Sequence, residues 1–209
     1  MAFDPSENEP DDGSKKIPQM TKGGLLAVNA VVLYTLMILA GVIGSWLILD
    51  RMPLSAAEVQ EVALWKKVAF GAGLGLAVFI VDQVLERFVA KFKAMSQAFI
   101  ELLGKMTTSQ ALILAFTSSV GEEIFFRGFL QSWLGLTAAS ILFGLMHIAP
   151  DRRLWFWPVM AIAMGFGFGW LFEYTGDVLA PIIAHFTINY FGLMALSAKT
   201  GLQEDPGGD

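Results

Sequence analysis

Cysteine is absent from all 209 residues, which removes a disulfide framework, a thiol nucleophile and any cysteine-bound metal. Charge is scarce as well. Asp, Glu, Lys and Arg make up 16% of the chain, against about 25% in soluble domains, while 55% of the residues are hydrophobic. No internal repeat, phosphate-binding glycine loop or basic nucleic-acid patch occurs, so nucleotide-driven and nucleic-acid-binding classes drop out. Three patterns of membrane proteases are also missing: the His-Glu-x-x-His metal helix, the Gly-x-Ser-x-Gly elbow and the Gly-x-Gly-Asp aspartyl motif.

What is present is a series of long apolar runs. They predict an all-α, polytopic integral membrane protein with about six transmembrane helices and one interfacial amphipathic helix. Residues 25–49 and 68–85 read as the first two spans, each near the roughly 20 residues a helix needs to cross a bilayer. Between them, 50–67 is a polar loop in which Pro53-Leu54-Ser55 ahead of Glu58 and Glu61 resembles a helix start. Gly71 and Gly75 suit close helix packing. From Phe88 to Met106 apolar residues recur every three or four positions with Lys91, Lys93 and Lys105 between them, as in a helix lying in the membrane surface.

Further spans are expected at 109–133, 137–148, 154–172 and 178–196, with turns at Gly135 and at Thr175-Gly176-Asp177. Trp155 and Trp157 read as interface anchors, and Asp82 as a charge snorkelling or capping near a span end. Residues 1–22, with Asp4, Glu7, Glu9, Asp11 and Asp12, are expected to be an acidic disordered tail, and 199–209 a polar tail. The polar start lacks the layout of a cleavable signal peptide, so the first span is expected to be retained. Ten Lys and Arg fall in connections on one side and three, Arg51, Lys66 and Lys67, on the other. This predicts a cytoplasmic N-terminus; the expected location is the inner membrane of a prokaryotic cell.

One stretch contradicts its surroundings. Gly121-Glu122-Glu123-Ile124-Phe125-Phe126-Arg127-Gly128 places three charges in an apolar run, each costing about 2.5–3.5 kcal/mol at mid-membrane unless paired or facing an interior cavity. Glu123 and Arg127 share a helix face. Glu122 lies about 100° away and is free for another role. A buried ion pair that fixes helix packing would explain Glu123 and Arg127 but leaves Glu122 without a reason.

The two histidines supply one. His147 follows Phe143 by four, and His185 precedes Asn189 by four. Glu122 lies 13 residues before Gly135 and His147 lies 12 after it, so the two sit at nearly equal depth on adjoining helices. Three helices would then offer a carboxylate, two imidazoles and a carboxamide to one cavity. A carboxylate beside histidine can deprotonate water, and imidazole and carboxamide donors can hold an oxyanion. The same set, two histidines and a glutamate, can also bind zinc with one position open to water.

In order and spacing, Glu122-Glu123-x-x-x-Arg127, Phe143-x-x-x-His147 and His185-x-x-x-Asn189 resemble the CPBP family of intramembrane proteases. That family includes the CAAX prenyl endopeptidases and the Abi-like bacterial proteins linked to bacteriocin processing or immunity. The resemblance covers about 111–196, within an expected catalytic core of 108–198 preceded by membrane and interfacial helices over 23–107. It implies that Glu122 and His147 activate the attacking water, that His185 and Asn189 bind the oxyanion, and that Glu123 and Arg127 support them, without a required metal. The implied partners are the bilayer and a peptide or lipidated protein substrate, with no nucleic acid. The alternative is a non-catalytic immunity or partner-binding protein using the same pocket. A proton-coupled carrier is a third reading, weakened by the lack of an inverted repeat.

Overall fold

A computed structural model describes residues 22–56 and 62–204. Glu58, Glu61, nearly all of the acidic stretch and the last five residues lie outside the described residues. Among the described residues the secondary structure is helical: α1 (Lys22–Leu49), α2 (Leu64–Phe88), α3 (Ala90–Leu103), α4 (Thr108–Glu123), α5 (Leu136–Leu145), α6 (Trp157–Thr175) and α7 (Leu179–Glu204). Four of these helices are long and apolar enough to cross a membrane, α1, α2, α6 and α7. The chain is an integral membrane protein.

Among the described residues, six full-length spans are not found. The stretch expected to cross at 137–148 is a helix of only ten residues, about 15 Å long, half the hydrocarbon thickness of about 30 Å. The remainder of that crossing is an irregular stretch from Met146 to Asp151 followed by a short 3-10 turn at Arg152–Leu154. The segment beginning at Thr108 is long and apolar enough to cross a membrane only together with α3, from which it bends by 107°. That bend fits the amphipathic reading of α3. Its buried Phe92, Met95 and Ala98 pack on Leu154, while Phe88, expected on the apolar face, precedes the helix and is exposed.

Glycines set the helix pairing. A Cβ on Gly71 would lie 2.5 Å from the Ala180 carbonyl oxygen, and one on Gly75 would lie 2.6 Å from Thr187 Cβ, so α2 and α7 touch backbone to backbone. α1 runs along α4 in the same way, with Tyr34 seated on Gly121 and Gly41 against the backbone of Phe125. Small residues allow this contact where lipid supplies no hydrophobic drive between helices.

The connections sort to two ends. At one end Ala56 N–H donates to the Gly176 carbonyl, Val178 N–H to the Leu54 carbonyl, and Lys67 pairs with Asp177. At the other, Lys199 pairs with Glu86, Ser197 Oγ donates to the Met106 carbonyl, and Arg153 bridges Glu101 and Asp151. Gly135 and Gly176 both end helices at φ 83°, a conformation that favours glycine, as the turn assignments expected.

Candidate active site

α4 begins with a capping box, Gln110 N–H on Thr107 Oγ1 and Thr107 N–H on Gln110 Oε1, one residue ahead of the expected start. It ends at Glu123, where the chain widens into a π-helical segment, Ile124–Gln131. Periodicity does not announce this change, and π segments recur at functional sites. Its consequence is a polar ladder of Glu123, Arg127 and Gln131. Arg127 Nη2 donates to the Gly165 carbonyl at 3.2 Å, and Gln131 Nε2 to the Gly169 carbonyl at 3.0 Å. A Cβ on Gly169 would lie 2.5 Å from Gln131 Oε1, so the glycines of α6 are what allow the approach.

Glu123 is fully buried and carries two partners. Arg127 Nε lies 3.2 Å from Oε2, and His185 Nδ1 lies 2.8 Å from Oε1. The guanidinium, itself 1% exposed, also sits 4.4 Å from the Phe143 ring centroid. A carboxylate accepts only, so His185 Nδ1 carries the proton and Nε2 faces away from Glu123. Phe168 stacks on the same imidazole at 5.0 Å and 19°.

His147 is held differently. It lies in the turn that ends α5, not inside a span, and Nδ1 donates to the Phe143 carbonyl at 2.6 Å. Its Nε2 is therefore the acceptor in the neutral ring. Trp157, expected as an interface anchor, packs edge-on against His147 at 4.9 Å and so belongs to the site wall.

Glu122 is where these orientations meet. Its Oε2 lies 3.9 Å from His147 Nε2 and 4.0 Å from His185 Nε2, buried and without a hydrogen-bond donor. Three acceptor atoms around one point make a place for a proton-rich species such as water. Asn189 Nδ2 donates to Ser118 Oγ at 2.9 Å, which spends one of its two N–H groups. All four predicted residues, Glu122, His147, His185 and Asn189, line one cavity of about 430 Å³, and Glu123 and Arg127 stand behind it.

Tetrahedral zinc at about 2.0–2.2 Å sets its donors roughly 3.4 Å apart. The separations here are wider, and among the described residues no group of three His, Asp or Glu is spaced as a metal cluster.

Some residues at the site had no role in the sequence reading. Tyr34 of α1 lines the same cavity as Glu122 and is seated on Gly121, the residue before it. The only signal for it was a lone phenol in an apolar span. Ser118 supports Asn189, and Gln131 Nε2 also donates to Glu173 Oε1 at 3.0 Å. Asp82, read as a snorkelling charge, lines the far end of the cavity beside Glu86 and Lys199.

Residues 104–191 match the family described as type II CAAX prenyl endopeptidase, Rce1-like. The chain is also similar to the uncharacterized protein YpbD of Bacillus subtilis (strain 168), with 27% identity over 121 residues. That alignment takes in 57% of this chain and 64% of YpbD, so the chain spans less than two thirds of that relative's length. No solved structure matches.

Proposed function

We propose that this chain, whose residues 104–191 match the Rce1-like family, is an intramembrane endopeptidase that cleaves a peptide bond with a glutamate-activated water. The observation that carries the reading is Glu122 Oε2, buried, without a donor, and faced by two imidazole Nε2 atoms. A water held there gives a proton to Glu122 as its oxygen attacks the scissile carbonyl. His147, its Nδ1 tied to the Phe143 carbonyl, turns Nε2 toward the same water.

The oxyanion that forms is held by the second N–H of Asn189 and by His185. For this His185 first takes a proton from bulk water on Nε2, the acceptor face of its neutral ring, while Nδ1 stays on the Glu123 carboxylate. Collapse breaks the C–N bond, and the proton on Glu122 passes to the leaving amine, leaving a carboxylic acid, an amine and the regenerated Glu122 carboxylate. Arg127 compensates the charge of Glu123, so Glu122 remains the carboxylate free to exchange a proton.

The substrate is a peptide or lipidated protein presented at the membrane, and a prenylated C-terminus is the class suggested by the family's description. The excess of Lys and Arg on the side of Arg152, Arg153 and Lys199 supports a cytoplasmic N-terminus, and the membrane proposed for the chain is a prokaryotic inner membrane.

The test is cleavage of a quenched fluorescent peptide ending in a farnesyl-cysteine tripeptide motif, by purified protein in detergent. Wild type should cleave, Glu122→Ala, His147→Ala and His185→Ala should not, and Asn189→Ala should keep partial activity. Full activity in Glu122→Ala would sink the mechanism. Loss of activity with chelator, restored by zinc, would replace it with a metal-dependent one.

A further inference from the structure

We propose that Tyr34, on α1 and outside the matched residues 104–191, is a positioning residue for Glu122. The inference rests on Glu122 being the base. Three observations point the same way. Tyr34 lines the cavity shared by Glu122, His147, His185 and Asn189, and its phenol and the Glu122 carboxylate interact electrostatically across it. The Tyr34 backbone is locked in place, because a Cβ on Gly121 would lie 2.7 Å from Tyr34 Cβ and 3.0 Å from the Tyr34 carbonyl oxygen. Glu122 Oε2 has no donor of its own, so the carboxyl depends on other contacts for its orientation.

The chemistry needs such a contact. Glu123 is held by Arg127 and His185, and His147 by the Phe143 carbonyl. Glu122 has imidazole acceptor faces on one side, which do not hold a carboxylate. A phenol O–H donating to it turns Oε2 toward the water and the histidines. A carboxylate misplaced by about 1 Å can lose 100-fold in rate. The N-terminal part of the chain thus contributes to the catalytic constellation as well as enclosing it.

The test has two arms. In the first, tyrosine is labelled with carbon-13 at Cζ. The sequence holds three tyrosines, so three signals are expected, and Tyr34→Phe assigns one of them. Glu122→Gln should move the Tyr34 signal and leave those of Tyr174 and Tyr190 in place. An unmoved Tyr34 signal overturns the proposal, whether or not the protein cleaves anything.

In the second arm, Tyr34→Phe keeps the ring on Gly121 and removes only the hydroxyl. It should lower kcat about 10-fold to 100-fold with KM within about twofold. Tyr174→Phe, at an exposed ring far along α6, should be unchanged. A wild-type kcat in Tyr34→Phe overturns the inference. Full activity in Glu122→Ala instead overturns the mechanism it rests on.

Discussion

Replacing Glu123 with glutamine should be among the most damaging single changes in the chain, although Glu123 is not the proposed base. The side chain is fully buried, and Arg127, its partner at 3.2 Å, is 1% exposed. At an effective dielectric of about 20, the attraction across that distance is roughly 5 kcal/mol. Removing one member of a buried pair leaves the other charge without compensation, and such losses run about 3–5 kcal/mol. The Gly165 carbonyl and the Phe143 ring still hold the guanidinium, which favours the lower end. Glu123→Gln should therefore cost about 3 kcal/mol in reversible unfolding in mixed micelles. The double variant Glu123→Leu/Arg127→Met removes both charges and should cost less than the two single changes together, by about 2 kcal/mol or more. The remaining loss includes the His185 hydrogen bond, worth about 1 kcal/mol. If the double variant costs as much as Glu123→Leu and Arg127→Met added together, the pair is not coupled and the reasoning fails.

Gly128→Ala would put a Cβ 2.0 Å from the Pro53 carbonyl oxygen, so the 53–55 loop must move; a loss of about 1–3 kcal/mol in the same unfolding assay is expected, and an unchanged protein would show that the loop yields freely. Glu101 of α3, which accepts hydrogen bonds from the Arg153 guanidinium and from Gln97, has its carboxyl held below the usual carboxylate range. A depressed carboxyl stabilises the fold above its unfolded pKa and loses that contribution as pH falls through the folded one. The α3 to Arg153 link should thus be constant from about pH 5 to 8 and weaken only below about pH 4, read as hydrogen exchange in α3. Gly71→Leu should separate α2 from α7, since even a Cβ there would meet the Ala180 carbonyl oxygen at 2.5 Å, and thermal stability in detergent should fall clearly.

Much of the site was legible because its chemistry is carried by rare residues in a monotonous background. Two histidines, two adjacent glutamates and one arginine inside apolar runs cannot be accidental, since each must find a partner or a cavity. Residues four apart share a helix face, so Glu123 with Arg127 could be paired from spacing alone. Equal depth about Gly135 was enough to bring Glu122 and His147 level. The turns at Gly135 and Gly176 and the long spans of α1, α2, α6 and α7 followed from glycine chemistry and hydropathy.

Other features depended on contacts between segments far apart in the chain. Hydropathy over 137–148 looks like a span, but where a helix stops is decided by its neighbours, and α5 ends after ten residues so that His147 can turn inward. The π segment after Glu123 reflects the fit of Arg127 and Gln131 onto carbonyls of α6. Which carboxylate is tied and which is open was only an assignment until His185 was seen to spend Nδ1 on Glu123. Tyr34 lies 88 residues from Glu122, and only the packing of α1 on Gly121 brings them together. Sequence determined which residues must leave the lipid, because burying charge in hydrocarbon is costly. Tertiary structure decided which atom of each faces which partner, because orientation depends on neighbours that the linear order does not specify.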